Sequence, residues 1–155
     1  MTAAPDQALA IALFGELFMA DQLARQRLSP MLPRGMTLSQ LAVLNHLVSA
    51  EAELTPAELA QRFHVTRGAM TNTLARLEQA GHVHVWPDWS DARRKRVRVS
   101  AAGRAARDSA IAAMTPVVSD LIREVGAERV RAALPVLRAL RQRLDTQPGP
   151  QPAAD

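Results

Sequence analysis

The chain is 155 residues long, with 48% hydrophobic and 22% charged side chains, which suits about one domain with a real core and neither a disordered nor a fibrous protein. Cysteine is absent, which excludes disulfides, thiolate metal sites, cysteine nucleophiles and thiol-based redox sensing. The net charge of +4 is unevenly spread, because Thr55 to Arg107 holds ten Lys/Arg against four Asp/Glu while the remainder is slightly acidic, the charge footprint of a polyanion binder.

From Asp6 to about Leu28, Leu9, Leu13 and Leu17 recur at spacing four, as do Phe14 and Phe18, which predicts an amphipathic helix. No run of eighteen apolar residues occurs and Met1 to Ala10 carry no basic residue, so neither a membrane span nor a secretory signal is expected, and a soluble cytoplasmic protein is. Ser29-Pro30 and Pro33-Arg34-Gly35 break the first helix. A second begins at Thr37, where Thr37-x-x-Gln40 has capping-box form, and buries Leu38, Leu41, Leu44, Leu47 and Val48 before ending near Ser49. Thr55-Pro56-Ala57-Glu58 starts a short third helix, with proline at the first helical position and Glu58 returning to the cap. Thr66 caps a fourth, closed by Gly81. The period then changes to two: Val83 and Val85, then Val97 and Val99, alternate with polar residues around the turn-like stretch from Pro87 to Lys95. That predicts an antiparallel ribbon with a charged tip. Beyond Ser100, Ile111, Met114, Val118, Leu121 and Val125 form a seam interrupted by Pro116, where a kink is expected. After Gly126 a further apolar stripe runs from Val130 to Leu144 through Pro135, and the proline-rich stretch from Gln147 to Asp155 reads as a disordered tail.

Two short helices joined by a tight turn and followed by a ribbon predict a winged helix-turn-helix. The fold class expected is mainly α with a small β-ribbon: a DNA-binding domain over 37–100, flanked by dimerisation helices over 6–28 and 101–146, with the tail over 147–155. An α-helix about 10–12 Å across fills the DNA major groove, its first turns nearest the base edges. With Val65, Met70, Leu74 and Leu77 turned to the core, the helix from Thr66 exposes Arg67, Gly68, Ala69, Thr71, Asn72, Ala75 and Arg76. Gly68 and Ala69 allow close backbone approach, Arg67 suits guanine or phosphate, Asn72 adenine and Thr71 a thymine methyl. In the ribbon tip Arg93, Arg94, Lys95 and Arg96 suit the minor groove or phosphates, and Asp91 is expected to orient the Arg93 guanidinium bidentately.

The motifs L-T-x-x-E-L-A from Leu54, V-T-R-x-x-x-T-x-x-L-x-R-L-E-x-x-G from Val65, D-x-R at Asp91 and S-x-x-G-R from Ser100 occur in this order. Together with TLSQLAVLNHL upstream, they make the chain resemble the MarR family of bacterial transcription regulators over about residues 8–145. The resemblance implies a homodimer in which the first and last two helices interlock, reading a near-palindromic operator in double-stranded DNA, with recognition helix Thr66 to Gln79 and the family's wing acid and arginine at Asp91 and Arg93. The apolar seams at 111–125 and 130–144, which one winged domain cannot bury alone, agree with a dimer. The resemblance further implies repression relieved by a small aromatic or lipophilic effector, in a cleft lined by the first, second and fifth helices, with Phe14, Phe18, Asn45, His46 and the region of Ile111 as candidates. No cofactor is implied.

Three other readings come from the residues. His82 and His84 at spacing two suggest a metal-responsive regulator, but zinc requires four ligands and no second pair lies nearby in sequence. Ser90, Asp88 and Asp91 suggest a hydrolytic group, but they sit on an open hairpin without a nucleophile elbow or phosphate loop, so no enzyme is expected. An architectural DNA binder differs from a regulator only in lacking sequence discrimination.

Overall fold

The computed structural model describes residues 3–146, with side chains from Asp6 onward; the predicted tail lies outside the described residues. Helix α1 spans Ala3–Leu28 and ends where Ser29–Met31 tighten into a 3-10 turn around Pro30. The stretch Asp6–Met31 is long and apolar enough to cross a membrane by length and composition alone, which is weak evidence for a span. It carries Glu16 and an Asp21–Arg25 ion pair of 2.8 Å.

Helix α2 (Leu38–Ala50) starts at the capping box read in the sequence: the Thr37 hydroxyl accepts from the Gln40 amide at 3.2 Å and the Gln40 side chain accepts from the Thr37 amide at 2.8 Å. Helix α3 (Pro56–Arg62) starts the same way, the Glu58 carboxylate accepting from the Thr55 amide at 2.7 Å. Thr66 caps α4 (Arg67–Gln79) by accepting from the Ala69 amide at 3.1 Å. Between α3 and α4 the chain reverses through His64, whose φ is +51°.

Strands β1 (Val83–Pro87) and β2 (Lys95–Val99) pair antiparallel in the register Val83 with Val99 and Val85 with Val97. Leu54 adds a bridge to the outer edge of β2, its amide donating to the Val97 carbonyl at 3.1 Å and its carbonyl accepting from the Val97 amide at 2.7 Å. The core gathers Val43, Leu44 and Leu47 of α2, Leu59 of α3, Met70, Leu74 and Leu77 of α4, and Val83, Val97 and Val99 of the ribbon. Each fully buried leucine contributes about 1.5–3 kcal/mol relative to exposure, so this cluster fixes α4 and the ribbon on one scaffold. Val65, expected in that core, is 42% exposed. Its amide is held by the Ala60 carbonyl at 3.1 Å, and it stands in the turn one residue before the α4 cap, where the helical period that aims Met70 and Leu74 inward has not begun.

Helix α5 (Ala101–Val125) runs unbroken through Pro116, and α6 (Ala127–Thr146) through Pro135. Gly126 joins them at φ +101°. The start of α5 is tied to the ribbon, the Ser100 hydroxyl donating to the Gly81 carbonyl at 2.6 Å and accepting from the Gly103 amide at 2.9 Å. A Cβ at Gly103 would fall 2.0 Å from the His82 carbonyl oxygen, so the backbones meet there too closely for any side chain. The chain divides into two compact units, one running to Met114 and the other starting at Thr115. In the second, Val118, Leu121, Ile122, Val125, Leu134, Val136, Leu137 and Leu144 are exposed.

Candidate nucleic-acid interface

Helix α4 turns Met70, Leu74 and Leu77 into the core. The 3.6-residue period therefore leaves Thr66, Arg67, Gly68, Ala69, Thr71, Asn72, Ala75 and Arg76 exposed, the face read from the sequence. Nothing lies within 4 Å of a Cβ built on Gly68. The fold imposes no need for glycine at this position.

Beside α4 lies a cleft of about 680 Å³ that reaches from Thr55–Glu58 across Arg67 and Thr71 to Arg93, Arg94, Lys95 and Arg96. Helix α4 and the ribbon tip thus share one basic groove. Two acids, Glu58 and Glu78, also line it. The Glu58 carboxyl is held below its usual range, first by the Thr55 amide, then by the Thr55 hydroxyl, with Arg96 and Arg94 adding to the shift.

The wing is braced by two aspartates. Asp88 is nearly buried; its Oδ1 accepts from the Ser90 amide at 2.9 Å and the Ser90 hydroxyl at 2.7 Å, and its Oδ2 accepts from Arg96 Nε at 2.8 Å. The Ser90 bonds and then the Arg96 guanidinium lower its pKa to about 2. The Asp88 amide also donates to the Arg94 carbonyl at 2.9 Å, closing the loop. Asp91 does not grip the Arg93 guanidinium as expected. Its Oδ1 accepts from the Arg93 amide at 3.0 Å and its Oδ2 lies 3.5 Å from Arg94 Nε. A carboxylate two residues before its target folds back on its own backbone as an Asx turn, and this leaves Arg93 and Lys95 exposed without an ion pair among the described residues. Sequence reasoning did not find the Asp88–Arg96 pair; Asp88-x-Ser90 carries an Asx-turn signature, but the partner across the hairpin emerges only from the strand register.

The effector candidates fall into separate groups. The Phe14 and Phe18 rings stand 6.1 Å apart on α1, with Phe18 71% exposed. The Asn45 side-chain oxygen accepts from Arg107 Nε at 3.0 Å and Nη2 at 2.7 Å, joining α2 to α5. His46 meets Phe63 edge-on at 5.8 Å, and burial, then Arg62, lowers its pKa. Ile111 is half-buried on α5. None of these lines the second cleft, of about 580 Å³, which lies among Asp21, Arg25 and Leu28 at the end of α1, Leu38 and Val43 of α2, and Ala69, Met70 and Thr73 of α4. His84 is exposed and His82 half-buried, and among the described residues no three His, Asp or Glu gather as metal ligands. The Ser90 hydroxyl is spent on Asp88.

A family model for the MarR family matches residues 34–94, from the turn before α2 to the wing. The segment over 34–94 is similar to the MarR family. A mutant MarR from E. coli, solved in complex with operator DNA, is 27% identical over 84% of this chain and 94% of its own, at a TM-score of 0.75. Sco5413, a MarR family transcriptional regulator from Streptomyces coelicolor, shares the fold at 21% identity, 87% and 94% coverage and a TM-score of 0.76. So does the transcriptional regulator PcaV from the same organism, solved with its natural ligand, at 23% identity, 83% and 91% coverage and a TM-score of 0.71. No curated protein matches the chain. The fold is that of MarR-family DNA-binding transcriptional regulators.

Proposed function

We propose that the protein is a homodimeric, sequence-specific repressor of the cytoplasm, whose two α4 helices enter successive major grooves of a near-palindromic operator while the wings reach the minor groove or phosphates. The observation that carries this reading is the shared groove in which the exposed α4 face meets Arg93 and Lys95, cations without an ion pair among the described residues. Thr66, Arg67, Gly68, Ala69, Thr71, Asn72 and Arg76 form the major-groove face, with Gly68 giving the backbone close access. Arg93, Arg94, Lys95 and Arg96 form the wing contact, with Asp91 shaping the turn. The apolar rows left open on α1, α5 and α6 are the surfaces a second copy covers, and removing them from water favours assembly over a monomer that exposes them. The E. coli relative solved on operator DNA supports the same use of the fold.

Release by a small effector is part of the proposal. The second cleft touches Ala69, Met70 and Thr73, so an occupant there bears directly on the helix that reads DNA. The test is enrichment of duplexes from a random-sequence pool by the full chain. A near-palindrome with half-sites about one helical turn apart is the expected result; enrichment of no common sequence contradicts a regulator and leaves an architectural binder.

A further inference from the structure

Trp89 is 97% exposed, the most exposed of the large apolar side chains among the described residues. It stands at the wing tip, inside the loop closed by the Asp88 amide and the Arg94 carbonyl. The residue before it is nearly buried and ion-paired, and the residue after it is bonded to Asp88 through both amide and hydroxyl. The loop therefore holds its shape while presenting an indole that the fold leaves uncovered. An indole exposes roughly 150–250 Å², and a hairpin tip gains nothing from holding it in water. Its neighbours across the loop, Arg93, Arg94 and Lys95, select a polyanion as the surface that covers it.

We propose that Trp89 is a DNA-contact residue of the wing, its indole lying against the deoxyribose walls of the minor groove while the adjacent cations hold the flanking phosphates. Minor-groove proteins pair basic side chains with apolar ones in this way, because the groove's sugar walls are apolar and its rim is charged. Arg93 and Lys95 supply attraction that salt weakens, whereas Trp89 supplies contact area that salt does not screen.

The assignment rests on the wing being a DNA element, and its test separates the two claims. The chain has two tryptophans, so Trp86→Phe leaves Trp89 as the reporter. Titration of that variant with a duplex enriched by the unmodified chain is expected to change Trp89 emission and shield it from acrylamide. Trp89→Ala is expected to weaken binding of the same duplex about tenfold, with the slope of log affinity against log salt unchanged. Trp89→Phe retains most of the affinity. The melting temperature of Trp89→Ala matches that of the parent, since the side chain packs on nothing. Unchanged affinity in Trp89→Ala, or equal acrylamide quenching free and bound, overturns the proposal while leaving the DNA reading intact. If the unmodified chain enriches no duplex, both fall.

Discussion

At the residue scale, the wing cations differ in whether an aspartate stands beside them. Arg96 is tied to Asp88 and Arg94 lies beside Asp91, while Arg93 is exposed without an ion pair among the described residues. Arg93→Ala is therefore expected to weaken DNA binding at least tenfold with the melting temperature unchanged, because one or two charge-assisted contacts of about 1.5–3 kcal/mol each are lost. Equal affinity in a filter-binding titration would remove Arg93 from the interface. Asn72→Ala is expected to relax preference at one half-site position by about 1–3 kcal/mol; a uniform loss across all base substitutions would make Asn72 a phosphate contact instead. Asp88 gives a pH signature. Its pKa falls from 3.8 in the unfolded chain to about 2 in the folded one, so the charged form is bound more favourably in the native state and its stabilisation is fully present above pH 4. It is lost as pH falls from about 4 towards 2. In urea unfolding, Asp88→Asn should flatten the acid limb between those values; an unaltered limb would show that the pair does not brace the wing. The exposed face of α4 was legible because helical period alone decides it once Met70, Leu74 and Leu77 are core. The roles of Asp88 and Asp91 were not, because a carboxylate's choice between backbone and guanidinium depends on loop geometry that sequence spacing leaves open.

At the element scale, helix starts were the most legible feature, since Thr37–Gln40 and Thr55–Glu58 carry both partners of their capping boxes within four residues. The ribbon was legible for a similar local reason, valines at alternate positions facing one core, while its register came only with the structure. What stayed hidden were contacts between elements. Leu54 bridges to Val97, and Gly103 sits against the backbone of His82. In the sequence Gly103 is one letter of the S-x-x-G-R motif, and the structure supplies its reason. Gly103→Ala is expected to cost about 1–3 kcal/mol, as overpacking does when the neighbour is backbone that must shift, and to lower the urea midpoint accordingly. A midpoint equal to that of the parent would mean that α5 leaves the ribbon by another path. Pro116 and Pro135 lie inside unbroken helices, because each removes a single amide donor that the surrounding turns outweigh.

At the scale of the whole molecule, the second compact unit is a pair of helices with almost no interior of its own, α6 burying none of its side chains. The sequence showed the apolar stripes but not what covers them, because periodicity marks a face as apolar without saying whose surface it meets. A second copy is the occupant proposed. Leu137→Asp places a charge in that seam, where an unpaired buried carboxylate is costly, and sedimentation should show monomer or aggregate in place of dimer. A well-folded dimer would move the interface elsewhere.

The central claim is sequence discrimination by the α4 face and wing acting together. It is tested most directly by fluorescence anisotropy of the enriched duplex, titrated across salt concentrations against a scrambled competitor of the same composition. The account predicts saturable binding that survives excess scrambled DNA, with affinity falling steeply as salt rises because phosphate contacts release counterions. Equal displacement by the scrambled duplex would contradict it.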